Sequence, residues 1–511
     1  MTALVVVMPG AQAQTLFHLQ EATIASIHAA FAGGSLTCVA LTKAYLDRIE
    51  VYNLKGPALR AIITVNPAAL GYAAELDREY REDRANIGPL HCVPMVLKDN
   101  FDTYDMPTSG GNVSMKTSQP EADAFVVWKL RVAGALFLGK ANMQEFARGG
   151  MSISSLGGQV RNPYDLTRTP GGSSGGTGAS VAANLALAGT GSDTGQSIRS
   201  PSSANNLVGI RPTRGLVSRA GVMPNSLTQD EVGPIARTVA DAALILDVMS
   251  GYDPNDPITA FGRTHQSQSV SHLFWQDALK GARIGVMANL MGSDARHKEV
   301  NAAMEQLQTR MRAAGAEVLY FALPEYDKLL PNLATDTFEA KSVMEEYFAK
   351  LPKDAPIKSF GELVAARTAT PAVQRTLETE NAIKDGMSSE EYKTRMLNRD
   401  RLRLAIANKM AELNLDAILY PHQKILVVPA TAPEQPERNG PLSNGTGFPA
   451  VTFQAGFSPP SASAPLGVPV GAELLGLDFT EDKLLSYVYA LEQASPQRKA
   501  PRSTPPLAGE P

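Results

Sequence analysis

Apolar and polar positions alternate between a helical and an extended period along most of this chain. Leu41, Tyr45 and Ile49 recur every four residues, which predicts a helix over 37–52 with Thr37 as its N-cap, preceded by another over 21–31. Short apolar runs at 61–65, 93–97 and 136–138 predict strands. The segments 67–82 and 121–133 predict the helices between them, so the order is β-α-β. A helix over 238–250 follows. The alternation resumes with strands over 282–287 and 318–321 flanking a helix over 298–314, then strands over 416–420, 450–454 and 467–475 and a closing helix over 480–494. Residues 336–413 are mostly helical, with Ser388 to Glu391 matching a capping box. The stretches 101–120, 151–159 and 251–280 show no period and read as loops. Strands alternating with helices predict an α/β fold with helices on both faces of a sheet.

One stretch departs from this pattern. From Arg168 to Gly215 the chain is rich in glycine and serine, the composition of a flexible linker. Yet the block ASVAANLALAG inside it has the length and composition of a buried helix running into a strand. The segments 171–178 and 191–199 are therefore read as two loops beside packed structure, presenting amide N–H groups and small hydroxyls to a ligand. Ser173 lies in the first and Ser197 in the second. A serine is a weak nucleophile until a base takes its proton. The seven histidines (18, 28, 91, 265, 272, 297 and 422) show no neighbouring acid that would orient them. Lys98 is the stronger candidate, because the apolar run before it would desolvate its amine and favour the neutral form. Two competing motifs fail on context. Gly171 to Gly175 matches G-x-S-x-G in form, but turn-forming NPYDLTRTP stands where a strand is required, and Gly176-Thr177-Gly178 lacks the lysine of a phosphate-binding loop.

GGSSGG at 171–176, GSDTGQSIR at 191–199 and the Lys98 segment resemble the three signature blocks of the amidase signature family of serine hydrolases. The resemblance spans roughly residues 17 to 495 and includes GKANMQEFA, NPYD and GVPVGAELLG. It implies a large, mixed, twisted β-sheet covered by helices and a Ser-cisSer-Lys triad: Ser197 as nucleophile, Ser173 as bridging serine on a cis peptide, Lys98 as base and acid. The amides of Thr194, Gly195, Gln196 and Ser197 form a nest suited to an oxyanion. Ser174, Asp193 and Arg199 are expected to brace that loop, a plain surface pair of Asp193 with Arg199 being the alternative. By resemblance, Arg148, Gly149, Gly150 and Met151 line the acyl side of the pocket, although Arg148 stands where some relatives carry Met and could equally be a surface arginine. Gln196 replaces a glycine found in many relatives. The implied activity is hydrolysis of an amide to a carboxylic acid plus ammonia or an amine, with esters or carbamates as further substrates. The alternatives are the glutaminase subunit of a tRNA-dependent amidotransferase and a non-catalytic binding protein on the same fold.

Composition narrows the setting. The 511 residues are 44% hydrophobic and 19% charged, with a net charge of −4, so no basic surface suggests nucleic acid or anionic membranes. A small-molecule amide is the expected partner, with the chain a monomer or homodimer, without nucleic acid or membrane. Cys38 and Cys92 have no metal or redox spacing and are expected to be free thiols among apolar neighbours. No metal motif occurs and no cofactor is expected. One domain is expected over 17–495, with a signature core at 88–250 and a variable helical roof at 251–413. The Pro-rich tail 496–511 is expected to be disordered. Residues 1–16 combine an apolar run with Ala11-Gln12-Ala13, which resembles the end of a truncated signal peptide and favours a periplasmic or secreted protein over a cytoplasmic one.

Overall fold

The computed structural model describes residues 17–265 and 275–511; the signal-like segment 1–16 lies outside them. In chain order the strands are β1 (Ile62–Val65), β2 (Pro94–Lys98), β3 (Leu136–Ala141), β4 (Ile153–Ser154), β5 (Gly158–Gln159), β6 (Ala188–Asp193), β7 (Val208–Arg211), β8 (Glu231–Ala236), β9 (Arg283–Met287), β10 (Glu317–Phe321), β11 (Ala417–Pro421), β12 (Ala450–Phe457) and β13 (Pro469–Leu475). β4 and β5 form a hairpin. The others make one 11-stranded sheet in the order β1-β3-β2-β6-β8-β7-β12-β13-β11-β9-β10. The sheet is mixed: β3, β2 and β6 run parallel, the centre from β6 to β11 is antiparallel, and β11, β9 and β10 are parallel again. This is the α/β architecture that the alternating pattern implies.

Burial explains the strand sequences. Every residue of β2, β3, β6, β7 and β8 is buried, as expected where helices cover both faces. One apolar cluster runs from Leu19 to Leu491. Several helices begin where a side chain satisfies a free amide: the Thr37 hydroxyl accepts from Ala40 N ahead of the helix Cys38–Tyr52, and the Thr238 hydroxyl from Asp241 N ahead of Val239–Met249. The cap expected at Ser388 falls one residue later. Ser389 caps the helix Glu390–Leu413 by accepting from Tyr392 N, while Ser388 ends a short 3₁₀ turn.

Two expectations from the sequence are corrected. The tail 496–511 is packed: Arg48 binds Glu510 at 2.8 Å, Leu19 N donates to Pro511 O, and Arg498 pairs with Glu21. Its prolines exclude regular structure but leave its carbonyls free to accept, and Arg48, Tyr52 and Gln20 all donate to them. Cys38 and Cys92 are joined in a disulfide, their Cα atoms 5.7 Å apart. The apolar surroundings that suggested two free thiols are the packing that brings the helix Cys38–Tyr52 against the turn before β2.

Candidate active site

The β2 strand delivers Lys98 at its last position, fully buried. Its Nζ lies 2.7 Å from Ser173 Oγ, 2.8 Å from Ser192 Oγ and 3.1 Å from Ser192 O. Burial pulls the amine down to about 7, against the opposing pull of Asp193 and Asp230. A neutral amine has two N–H groups and one lone pair. Ser192 can take both N–H groups, which leaves the lone pair facing the Ser173 hydroxyl. Ser192, at the end of β6, joins the site through a contact that no motif in the sequence marks. Asn100, two residues after Lys98, holds it by donating to Ser192 Oγ at 3.1 Å.

Ser173 sits in the first glycine-rich loop, and the Gly172–Ser173 peptide is cis. The helix that follows, Gly175–Ala182, begins inside the stretch read as a loop. Its glycines are there for close approach: a Cβ on Gly176 would lie 2.1 Å from Asn142 O. Ser174 links the two loops, its N donating to Ser197 O at 3.3 Å and its Oγ to Ser192 O at 3.4 Å.

Ser197 lies in the turn between β6 and the helix Arg199–Ala204. The carbonyls around it are tied back: Thr194 O accepts from Gln229, Gly195 O from Arg199 and Asn444, and Gln196 O from Ser200 N. Among the described residues, no hydrogen bond is made by the amides of Thr194, Gly195, Gln196 or Ser197. The loop thus turns a row of open donors to one side. Asp193 shapes it by accepting from Ile198 N, Arg199 N and the guanidinium groups of Arg199 and Arg211. Asp193 and Arg199 are both fully buried, not a surface pair. Burial alone would raise the Asp193 carboxyl, but the two arginines hold it well below the usual range. On the far side Arg199 binds Glu473 of β13 at 3.0 Å, and Glu473 also receives Tyr420 Oη at 2.8 Å and meets His422 Nδ1 at 2.5 Å. His422 therefore has an acid beside it, as has His297 with Glu437 at 2.5 Å. Sequence alone hid both pairs, since their partners are 51 and 140 residues away.

A cavity of about 530 Å³ opens beside Ser192, the hydrogen-bond partner of Lys98, and is lined also by Asn100, Asp102, Thr194, Asn225 and residues of the helix Asp336–Phe348, including Tyr347. Tyr347 donates to Asp102 at 2.8 Å, and burial raises that carboxyl to about 7. From the 148–151 segment, Arg148 is buried and its guanidinium is engaged with Glu380 at 2.8 Å and stacked on Phe360. Gly149 has φ +129°, and a side chain at Gly150 would run into Gln196 and Arg438. Met151 is buried, its carbonyl accepting from Gln159 and Thr169. Among the described residues, no group of His, Cys, Asp or Glu is placed to hold a metal ion, and no helix is long and apolar enough to cross a membrane.

An eleven-stranded mixed sheet that brings a buried lysine to a cis-peptide serine beside a glycine-rich turn is the architecture of the amidase signature enzymes. The family model described as Amidase matches residues 40–485, and the chain belongs to that family. Among its relatives, the native peptide amidase of Stenotrophomonas maltophilia is similar in structure, with a TM-score of 0.85 and 35% identity over 95% of this chain and 99% of that one. The probable amidase of Arabidopsis thaliana is 33% identical over 95% of this chain and 92% of its own length. A glutamyl-tRNA(Gln) amidotransferase subunit from Thermotoga maritima has a TM-score of 0.72 and 26% identity over 94% of this chain and 98% of that one.

Proposed function

We propose that the protein hydrolyses an amide C–N bond through an acyl-enzyme, with Ser197 as nucleophile, Ser173 as proton relay and Lys98 as base. The observation that carries this reading is the buried Lys98 amine, 2.7 Å from Ser173 Oγ and brought to about 7. Neutral Lys98 takes the Ser173 proton while Ser173 takes that of Ser197, whose Oγ bonds to the carbonyl carbon. The carbonyl oxygen gains the electron pair and turns to the open amides of 194–197, each such donor contributing about 2.7 to 4 kcal/mol. On collapse the C–N bond breaks, the leaving nitrogen takes the proton back from Lys98 through Ser173, and water then cleaves the acyl ester by the same route. Esters and carbamates pass through the same tetrahedral chemistry. Two buried acceptors without donors, Asn100 Oδ1 and Asn225 Oδ1, line the cavity and suit a substrate that brings N–H groups of its own. The backbone follows the peptide amidase more closely than the amidotransferase protein, which favours hydrolysis without a partner chain. Labelling with a fluorophosphonate followed by peptide mapping tests the assignment. The adduct is expected on Ser197, and an adduct on Ser173 overturns it.

The disulfide supports a second proposal, an oxidising compartment outside the cytoplasm, since such bonds are rare in the reducing cytosol. Fractionation of the producing cells is expected to recover the protein in the periplasmic or culture fraction, and recovery in the cytosol with reduced thiols contradicts it.

A further inference from the structure

The arginines around the nucleophile loop are engaged within the fold: Arg148 by Glu380, Arg199 by Asp193 and Glu473, Arg211 by Asp193, Arg219 by Asp256, and Arg214 and Arg399 by carbonyl oxygens. Arg438 is the exception. Among the described residues no carboxylate lies within ion-pairing distance of its guanidinium, and that group makes no hydrogen bond. Yet it stands beside Gly150 and Gln196, the residue before Ser197. A Cβ placed on Gly150 would lie 2.3 Å from Arg438 Nη1 and 2.7 Å from Gln196 Nε2, so both donors converge on the segment proposed to face the acyl part, one of them carried by the residue before the nucleophile. Arg438 also borders a second cavity of about 320 Å³, shared with Lys424, His297, Glu437 and Asp327. The acids there are already used, Glu437 by Arg296 and His297 and Asp327 by Asn289. Lys424 Nζ, in contrast, has only the carbonyl of Asn289. This side of the loop therefore carries positive charge without a paired carboxylate. Burial disfavours the charged form of Arg438 and the more distant Glu434 only partly opposes it, a cost that an incoming anion would offset.

We propose that Arg438 and the Gln196 carboxamide form a carboxylate-binding subsite, so that the preferred substrates are amides whose acyl part ends in a carboxylate. The proposal rests on the amidase reading of the site. A planar guanidinium beside a second N–H donor matches the two oxygens of a carboxylate, and an anion held there gains a charge-assisted pair in a partly desolvated setting. The Gln196 side chain then has a role in selection. Because the guanidinium has no partner within the fold, its replacement orphans no buried group.

The test measures binding apart from turnover. The Ser197→Ala protein is titrated calorimetrically with succinamate, glutaramate and adipamate, and with the neutral diamides of the same acids. At least one monoamide is expected to bind about tenfold or more tightly than its diamide, corresponding to roughly 1.4 kcal/mol. Adding Arg438→Gln should bring that ratio to near one, and Arg438→Lys should leave it in between. Equal affinity for monoamides and diamides, or a preference that survives Arg438→Gln, overturns the subsite. If the wild-type protein turns over no amide while the carboxylate preference in binding remains, the amidase reading fails and the subsite stands.

Discussion

At the scale of single residues, the base role proposed for Lys98 and its effect on stability depend on the same ionisation. Its folded value, about 7, lies below the roughly 10.4 of a free lysine, so the unfolded chain binds the extra proton between those limits. Stability is therefore complete above the unfolded value and is lost as the pH falls toward 7, by on the order of 4 kcal/mol, after which the loss is constant. In the proposed mechanism catalysis runs the same way, because only the neutral amine accepts a proton. Amide turnover should rise with pH along an apparent value near 7. Lys98→Met should cut it by about 10²- to 10⁴-fold, while an activated ester, whose leaving group needs no proton, loses less. Urea denaturation of both proteins at pH 7 and near pH 10 checks the linked claim. The stability difference should move by several kcal/mol in favour of the Met variant at the lower pH. A difference that does not change with pH means that the lysine is charged in the fold and cannot be the base.

At the scale of elements, what could be read from the sequence depended on whether an element carries its own reason to form. The helices capped by Thr37 and Thr238 and the strand β2 could, because the apolar period and the cap lie in one segment. β7 and β8 could not. They hold glycine, proline and charged ends, and their strand character comes only from pairing with β6 and β12 in the middle of the sheet. Lys98, Ser173 and Ser197 stood out through their glycine-rich and apolar surroundings. Ser192 and Glu473 did not, since each matters through a contact made by the fold, and neither did Arg438, which only the fold brings beside Gln196. Glu473 illustrates the cost. It sits on β13, fully buried, and accepts from Arg199 and Tyr420 while meeting His422, so it clamps the far side of the loop that carries Ser197. Glu473→Gln leaves the Arg199 charge with one carboxylate instead of two. A loss of about 3 to 5 kcal/mol is expected, together with a fall in kcat larger than any change in KM, because the loop is misplaced and no substrate contact is removed. Chemical denaturation and steady-state kinetics on the same preparation check both, and a raised KM with unchanged kcat would instead place Glu473 in substrate binding.

At the scale of the whole molecule, the two features that the sequence analysis misjudged act on the same helix, Cys38–Tyr52. Its first residue is linked by the disulfide to Cys92, six positions before Lys98, and its buried Arg48 is held by Glu510 and by the carbonyls of Ala183, Asn184, Thr504 and Pro505. The disulfide closes a loop of 54 residues, for which chain entropy gives about 4 kcal/mol. Deleting residues 498–511 removes the Arg48 counterion and leaves a buried charge short of partners, a loss of about 3 to 5 kcal/mol. If the helix were fixed independently at its two attachments, these losses would add. It is one rigid rod, however, and once either attachment is released the other holds a segment that is already partly detached. The two losses should therefore overlap, and the combined variant should lose less than their sum by about 1 kcal/mol or more, the size of coupling seen between groups sharing a structural unit. Denaturation of the intact protein, the Cys38→Ser/Cys92→Ser pair, the truncated chain and their combination closes the cycle. Strict additivity would mean that tail and disulfide stabilise separate parts of the molecule. A coupling of the expected sign would show that the arm carrying Cys38 and Arg48 is held as one unit against the strand that delivers Lys98.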